Sequence, residues 1–482
     1  MSVLKGLKPE KVFEYFEKLC SVPHGSGNTK IISDMCMGFA KELGLKCRQE
    51  PCDNVVIWKP ASPGCEDAAP IILQGHMDMV CAKTDDCTKD MTREGLDLMT
   101  DGEWVWADKT SLGGDNCIAV AMILAILADD TLVHPPIEAV FTIDEEVGMD
   151  GAFALDCSDI KGRKLLNLDS EMEGVFTVSC AGGMRSDCFL PAEREGIVGM
   201  DVFSLTVAGL QGGHSGADIH LGRGSGNRLM GRVLCTAMEK FPGLRLAALS
   251  GGQFDNVICS RCEAAVALPA GNADAFTAFV SAFDAILKNE YAVTDPGVTL
   301  TCAASSADKA VSAQRTAVLL RALAALPQGV EAMDTDFPGL VQTSLNMGVT
   351  RLDDTGLHVT FSVRSSIASR KEMLGQRVRA VAELAGGTVT ERGVYPGWQY
   401  KRDSQFRETL LAAYKDLTGK DGVVEATHGG LECGLLMEKL PGLDAVSLGP
   451  DLFDVHSVRE RLNVASTERT YALVCELLRR SV

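Results

Sequence analysis

Histidine and acidic residues stand at the ends of apolar runs in several parts of the sequence. His76 and Asp78 follow the run IILQG, and they point the same way because successive side chains of a strand alternate between its two faces. Glu145 and Glu146 follow IEAVFTI, and Asp169 closes KLLNL. One such pair alone is most often a strand end that reaches solvent, so the information lies in the whole set.

Asp115 and His456 extend this set. Asp115 stands at the start of a strongly apolar helical segment, where N-capping is the ordinary role of an aspartate, and His456 lies just past the apolar run DAVSLGP. Many carboxylates in one place, without lysine or arginine beside them, would have raised pKa values and would destabilise the fold unless a cation lay among them. We therefore predict a metal centre.

The types of side chain limit the metal. Imidazole and carboxylate ligands without a thiolate suit Zn²⁺, and also Co²⁺ or Mn²⁺, and the carboxylates are numerous enough for two ions that share one aspartate. Two such ions can hold a bridging hydroxide and polarise a carbonyl group. Glu145 and Glu146 are adjacent and cannot point identically, so one can bind metal while the other acts as a general base.

The segments between these motifs predict an α/β fold. Strand-like runs alternate with helical ones, which is typical of a mainly parallel sheet flanked by helices, and active sites of such sheets lie beyond the carboxyl ends of the strands. The pattern changes between about residues 184 and 395. We predict a catalytic domain over 1–183 and 396–482, with an inserted α+β domain over 184–395. Within it, FSLTVAGL, a helix near 227–241 and CEAAVALP are echoed by VTLTCAA, a helix near 313–326 and LHVTFSVR, which indicates two α+β repeats.

The motifs GHMDMV, LGGDN, DEEVGMDGA, NLDSE, GGHSG and DVHS, in this order, resemble those of the M20 family of di-zinc peptidases. GGQFDNVI, TSLNMGV, YPGWQ and HGGLECG make the resemblance most specific for the aminoacyl-histidine dipeptidases within that family. The resemblance implies ligands for one ion at His76, Asp115 and Asp169, and for the other at Asp115, Glu146 and His456. It also implies that Asp78 orients His76, that Glu145 is the general base, and that the peptide bond between Asp115 and Asn116 is cis.

The activity implied by the resemblance is hydrolysis of unblocked dipeptides, chiefly of the X-His type, by a metal-bridging hydroxide. Another M20-type hydrolase, such as a tripeptidase, carboxypeptidase or aminoacylase, would keep the same ligands and stays an alternative. Two positions depart from the pattern, because Cys117 replaces a usual glycine and Val458 a common proline. Neither removes a ligand, but Cys117 brings near the metals a thiol that could oxidise or compete for an ion.

The inserted domain is implied to act as a lid that contacts the substrate. His214 would donate a hydrogen bond to the oxyanion, and Asn256 and Arg364 would contact the peptide backbone and its carboxylate, which the fork of an arginine matches. His428 and Glu432, in a loop assigned to the catalytic domain, are expected to line the pocket for the N-terminal residue. Closure of such a lid would restrict the substrate to a dipeptide.

Composition narrows the expected partners and location. The net charge of −19 disfavours nucleic acid and anionic membranes, since no stretch supplies a concentrated basic surface. The N-terminal segment reads as an amphipathic helix without an export signal, and the seventeen cysteines are odd in number and irregularly spaced, which favours a reducing cytoplasm. The single CxxC, Cys259 to Cys262, is interpreted as packing. The expected partner is a small dipeptide, and a homodimer through the lid domain is left open.

Overall fold

The computed structural model describes residues 2–482. Within that range the α-helices, in chain order, are α1 (Glu10–Cys20), α2 (Lys30–Glu42), α3 (Gly114–Leu127), α4 (Asp150–Ala154), α5 (Gly226–Lys240), α6 (Ala273–Glu290), α7 (Ala313–Ala325), α8 (Ala368–Leu384), α9 (Gln405–Thr418), α10 (Glu432–Lys439) and α11 (Val464–Arg479), with a short 3₁₀ helix at Ile219–Leu221. The β-strands are β1 (Lys46–Gln49), β2 (Val55–Lys59), β3 (Ile71–His76), β4 (Leu98–Thr100), β5 (Trp104–Ala107), β6 (Ile137–Thr142), β7 (Lys164–Asn167), β8 (Val175–Cys180), β9 (Gly182–Pro191), β10 (Arg194–Gly196), β11 (Met200–Ala208), β12 (Arg245–Gly251), β13 (Cys262–Pro269), β14 (Thr299–Ser305), β15 (Lys309–Val311), β16 (Gly329–Met333), β17 (Val341–Leu352), β18 (Gly356–Ser365), β19 (Thr388–Tyr395), β20 (Val423–Thr427), β21 (Asp444–Ser447), β22 (Leu452–Phe453) and β23 (Arg461–Asn463).

The chain divides into two units. The first runs to Ser179 and resumes over Tyr400–Ala426 and Leu431–Val482, and the second comprises Cys180–Gln399 and Thr427–Gly430. The boundaries expected from the sequence, after residues 183 and 395, lie close to the two main crossings. The return of four residues to the second unit was not expected.

A mixed eight-stranded sheet runs through the first unit in the order β1-β2-β6-β3-β7-β21-β8-β20. The central strands β6, β3, β7 and β21 are parallel, whereas β1, β2 and β8 join in antiparallel fashion. Every residue of β3 and β6 is buried, which is why both read as continuous apolar runs. His76 pairs with Thr142, and Gln74 with Asn167, so the residues that follow β3, β6 and β7 emerge at one edge. The α/β prediction is confirmed.

Helix α3 is buried along nearly its whole length. Its residues from Asn116 to Leu127 are all buried, as expected for a helix that is apolar all round. The buried ammonium of Lys59 donates hydrogen bonds at its end, to the carbonyls of Ile126 at 3.1 Å, Leu127 at 3.0 Å and Asp129 at 2.7 Å. A cation there satisfies the last carbonyls and complements the negative end of the helix dipole. The helix that begins with the Asp115 turn is thus anchored at its far end.

The second unit contains a nine-stranded sheet with the order β14-β11-β13-β12-β17-β18-β9-β19, in which β16 also pairs with β17. The order is symmetric about the β12–β17 contact. One half is β11-α5-β12-β13-α6-β14, and the other is β9-α7-β17-β18-α8-β19. The proposed repeat is therefore corrected in one respect, because VTLTCAA is β14, the last strand of the first half, and the counterpart of FSLTVAGL is β9. Strands with alternating polar and apolar residues look alike in sequence, so only the strand pairing shows which strands of the two halves correspond.

The cysteines are free thiols throughout the described chain. Cys259 and Cys262 are both buried, and the thiol of Cys259 lies 3.1 Å from the carbonyl oxygen of Arg261. This contact agrees with a packing role for the CxxC. Among the helices of residues 2–482, none combines the length and the apolar character that crossing a membrane requires.

Candidate metal centre

Asp78 organises the edge of the sheet where β3 ends. His76 is 1% exposed, and its Nδ1 lies 3.1 Å from the Asp78 carbonyl oxygen and 3.2 Å from the Asp78 carboxylate. The same carboxylate accepts hydrogen bonds from the Ser26 hydroxyl at 2.8 Å and from the backbone N–H groups of Glu145 at 3.1 Å and Glu146 at 3.3 Å. Asp78 therefore fixes both the imidazole and the turn that carries the two glutamates. With Nδ1 facing these oxygens, Nε2 of His76 is the ring nitrogen left available to a metal ion.

Five predicted ligands converge around Asp115. Nε2 of His76 lies 3.1 Å from Asp115 Oδ1 and 3.4 Å from Asp169 Oδ1. Nε2 of His456 lies 3.1 Å from Asp115 Oδ2 and 2.9 Å from Glu146 Oε1. Each oxygen of Asp115 thus faces a different histidine, as a bridging carboxylate would. The arrangement gives one group of three donors on the His76 side and another on the His456 side, with Asp115 in both.

The charges of these groups conflict unless cations lie among them. Burial raises the pKa of Asp169, and it raises that of Glu145 to about 9. Contacts with Asp115 and Glu146 raise the pKa of His456 to about 10, so the histidine is held as a cation that compensates the carboxylates. Bound divalent ions would instead keep the carboxylates ionised and the imidazoles neutral. The nitrogen and oxygen donors of this cluster fit such ions.

The turn that carries Asp115 is built by its neighbours. The Asp115–Asn116 peptide bond is cis, which confirms the expectation from the family resemblance. The Asn116 side chain accepts a hydrogen bond from the backbone N–H of His76 at 3.2 Å and donates one to the carbonyl of Leu168 at 2.7 Å. A Cβ at Gly75 would approach the Asn116 Oδ1 to 2.5 Å, so only glycine fits beneath it. Asn116 thereby joins the ends of β3 and β7 at the centre.

Two carboxylates near the centre were missed by the sequence analysis. Glu460, which is 2% exposed, accepts backbone hydrogen bonds from the segment that leads into α3. Glu171 lies near the ligands, and burial together with Asp115 and Asp169 raises its pKa to about 7. Glu171 belongs to the NLDSE motif, so the sequence could have indicated it as a residue of the site. No local sequence pattern distinguishes Glu460 from an ordinary surface glutamate.

The thiol of Cys117 is not placed to compete with the candidate ligands for a metal ion. Its side chain is fully buried, with the sulfur 3.8 Å from the carbonyl oxygen of Met77. Burial raises the pKa of the thiol far above its ordinary value, and the thiolate is the form that binds metal. The residue therefore acts as a small apolar side chain beneath the centre.

Glu432 lies in the first unit and is fully buried. Its carboxylate accepts hydrogen bonds from Gln74 at 2.5 Å and Thr142 at 2.7 Å, and burial raises its pKa to about 7. Its other oxygen has no partner among residues 2–482. Glu432 is thus buried beneath the edge of the sheet and is not exposed as a residue lining an open pocket would be. A role in binding substrate stays a prediction.

The remaining predicted substrate residues belong to the second unit. His428 was assigned to the catalytic domain and is corrected here, because Thr427–Gly430 packs within the second unit. Its Nε2 lies 2.8 Å from the Ser344 hydroxyl, and burial together with Arg364 lowers its pKa to about 3. Arg364 donates to the His428 carbonyl at 3.4 Å, while its buried Nε has no acceptor among the described residues.

His214 is presented as a hydrogen-bond donor. Its Nδ1 accepts hydrogen bonds from the backbone N–H groups of Gly216 at 3.3 Å and Ala217 at 3.2 Å, so the proton of the neutral ring is on Nε2. Burial and Arg364 lower its pKa and favour that neutral form. The Asn256 carbonyl accepts from the Ser215 N–H at 2.8 Å, which places Asn256 beside the same loop. His214, Arg364 and His428 are therefore neighbours within one unit.

Comparison with known proteins gives concordant results. Residues 72–480 match the model of Peptidase family M20/M25/M40. The chain is 37% identical over 481 residues to the cytosol non-specific dipeptidase of Escherichia coli (strain K12), covering 99% of both proteins. The crystal structure of the aminoacylhistidine dipeptidase from Vibrio alginolyticus matches with a TM-score of 0.93 and 37% identity, covering 99% of this chain and 98% of that one. The aminopeptidase PepT from Bacillus cereus shares the fold at 14% identity, with a TM-score of 0.56 over 98% of this chain and 99% of that one.

Proposed function

The chain belongs to peptidase family M20/M25/M40, and we propose that it hydrolyses the single peptide bond of unblocked dipeptides in a metal-dependent reaction. It is a hydrolase of the dipeptidase type. X-His dipeptides are the first substrate class to test, because the similar Vibrio alginolyticus protein is an aminoacylhistidine dipeptidase. A cytoplasmic location is supported by the cytosolic Escherichia coli relative and by the free cysteines.

The observation that carries this proposal is the convergence of two histidines and three carboxylates at distances of 2.9–3.4 Å. Two divalent ions, Zn²⁺ first and Co²⁺ or Mn²⁺ as alternatives, would be held by these side chains. When bound, ions of this kind polarise a carbonyl group and lower the pKa of an attacking water molecule. The ligand sets are His76, Asp115 and Asp169 for one ion, and Asp115, Glu146 and His456 for the other.

Glu145 is the residue proposed to move protons. Its backbone is fixed by Asp78, whereas its carboxylate makes no hydrogen bond within residues 2–482, so it stays free to act on the substrate. It would take a proton from the attacking water and pass it to the nitrogen of the leaving amino acid. Glu146, the adjacent residue, is committed to the ligand set through its contact with His456. This division gives the acidic pair two different roles.

Residues of the second unit are proposed to recognise the substrate. His214 would donate its Nε2–H to the oxyanion that develops from the carbonyl, since Nδ1 is occupied by backbone donors. Arg364 would bind the substrate carboxylate, because most of its donors, including the buried Nε, are unused by the described residues. Asn256 would contact the peptide backbone and His428 the N-terminal residue of the substrate. Glu432, which belongs to the first unit, is proposed for the same N-terminal residue.

Metal analysis and a substrate panel test this function. The purified protein should contain two divalent ions, lose activity with a chelator and recover it with Zn²⁺, Co²⁺ or Mn²⁺. A panel of β-alanyl-histidine, glycyl-histidine, other dipeptides, tripeptides and N-acetyl-histidine then reads the substrate class. A fully active metal-free preparation would refute the mechanism. Preference for tripeptides or N-acyl amino acids would favour another member of the family, such as a tripeptidase or aminoacylase.

A further inference from the structure

One buried carboxylate connects the two loops that carry Asp115 and His456. Oε2 of Glu460 accepts hydrogen bonds from the backbone N–H groups of Leu112 at 2.8 Å and Gly113 at 3.1 Å. Oε1 accepts from the N–H groups of Gly114 at 2.8 Å and Asp115 at 3.3 Å. Both oxygens are thus used twice. Glu460 therefore accepts four consecutive N–H groups at the start of α3, including that of Asp115, the proposed shared ligand.

The other end of this connection is the loop that holds His456. Glu460 stands at the end of the turn between β22 and β23, four positions after His456. The base of that hairpin is fixed by Arg461, whose guanidinium lies 5.1 Å from the Trp104 ring and 5.7 Å from the Phe453 ring. The backbone that bears His456 is therefore tied on one side to an aromatic cluster and on the other, through Glu460, to the Asp115 turn.

We propose that Glu460 is a positioning residue of the metal centre, which sets the spacing between Asp115 and His456 and so determines the affinity for the ion that these two share with Glu146. The inference rests on the proposed metal-dependent function. Both oxygens of Glu460 already accept backbone N–H groups, so it would act through the backbone of the Asp115 turn rather than as a ligand. Asp115 belongs to both ligand sets, but only the set with His456 has a second ligand on the loop that carries Glu460. The effect should therefore be larger for that ion than for the ion of His76 and Asp169.

Glu460→Gln is the informative substitution. A glutamine keeps the length of the side chain, but its NH₂ group would face backbone N–H donors, so two of the four N–H groups would lose their acceptor in a buried place. The negative charge at the start of α3 would also be lost. Glu460→Asp keeps both oxygens and the charge with a shorter reach, and should recover part of the affinity.

Glu138 provides a matched control in the same unit. It is 3% exposed, and its carboxylate accepts hydrogen bonds from the backbone N–H groups of Lys161 at 2.9 Å and Gly162 at 2.8 Å. It lies at the start of β6, whereas the ligands follow the ends of the strands. Glu138→Gln therefore removes a buried carboxylate of the same type without touching either ligand loop.

Calorimetric titration of the metal-free proteins with Zn²⁺ measures the effect. Wild type and Glu138→Gln should bind two ions with the same isotherm, while Glu460→Gln should bind one of them about 10–100-fold more weakly, the usual effect of removing a partner outside the ligand shell. Glu460→Asp should lie between. In a His456→Ala background, Glu460→Gln should add little further loss, because both changes act on the same ion.

Several results would overturn the inference. These are a Glu460→Gln isotherm equal to that of wild type, an equal weakening of both ions, or the same change in Glu138→Gln. If Glu460→Gln does not fold, Glu460→Asp carries the test, and an unaltered isotherm for that variant overturns the inference as well. Failure of wild type itself to bind two ions would instead reject the proposed function, so the two failures are distinguishable.

Discussion

Replacing Glu145 with glutamine should lower turnover by at least about 100-fold without removing the metal ions. The side chain keeps its shape, and no hydrogen bond to its carboxylate is lost within residues 2–482 because none is formed there. Removal of a general base lowers the rate by roughly 10²–10⁴-fold, which corresponds to about 3–5.5 kcal/mol of transition-state stabilisation. The loss should appear in kcat, while KM stays near the wild-type value because substrate contacts are unchanged.

The adjacent residue supplies the comparison. Glu146 lies 2.9 Å from the His456 Nε2 and belongs to a ligand set, so Glu146→Gln should lower the metal content as well as the rate. Steady-state kinetics on β-alanyl-histidine, together with elemental analysis of the same samples, separates the two variants. Glu145→Gln with more than about a tenth of wild-type kcat, or with one ion missing, would refute the division of roles, since a general base contributes at least ~10²-fold.

The same substitution has an expected effect on stability. Burial raises the pKa of Glu145 to about 9 in the metal-free fold, above its value in an unfolded chain. The folded state then binds the proton more tightly, so the unfolding free energy falls as pH rises from about 4.5 towards 9. Glu145→Gln removes this loss, and the metal-free variant should unfold at a higher temperature than wild type at pH 7 but not at pH 4. A lower Tm at pH 7 would contradict the raised pKa of the carboxyl group.

Arg364→Ala should erase most of the discrimination between X-His and X-His-amide, measured as the ratio of their kcat/KM values, because the substrate carboxylate loses its partner. The control Arg392→Ala removes a surface ion pair with Asp187 and should leave this ratio unchanged. Lys59→Met should lower the unfolding free energy by about 1.5–3 kcal/mol in urea denaturation, the range for hydrogen bonds from a charged donor. The control is Lys439, which is only partly buried and donates to two carbonyls, so its substitution should lower the unfolding free energy less. The folded chain protonates His428 only near pH 3, so the free energy of unfolding should fall as pH drops below about 6.5. His428→Gln should make this free energy depend less on pH between pH 7 and 5. An equal pH dependence in both proteins would contradict the lowered pKa of His428.

The convergence of the five candidate ligands could be predicted from the sequence because each stands at an element boundary that a short pattern reveals. His76 and Asp169 follow apolar strands, and parallel pairing brings such ends to one edge. Glu460 was not predictable, since its partners lie about 345 residues away in the chain and a surface carboxylate would look the same in sequence. The burial of Glu432 likewise depends on contacts with β3 and β6 that no local pattern encodes.

The segment Thr427–Gly430 determines where crossover points should lie in a chimera of this protein with one of its relatives. The backbone N–H of Ala181 contacts the carbonyls of Thr427 at 3.2 Å and Gly429 at 2.9 Å, and the ring of His428 meets Ser344. A chimera with crossovers only at 179/180 and 399/400 would therefore carry a foreign tetrapeptide inside the transplanted half. Arg364 and Ser344 would then face a histidine loop that came from the other parent. Two additional crossovers, around 426/427 and 430/431, would keep each half of the hybrid from a single parent.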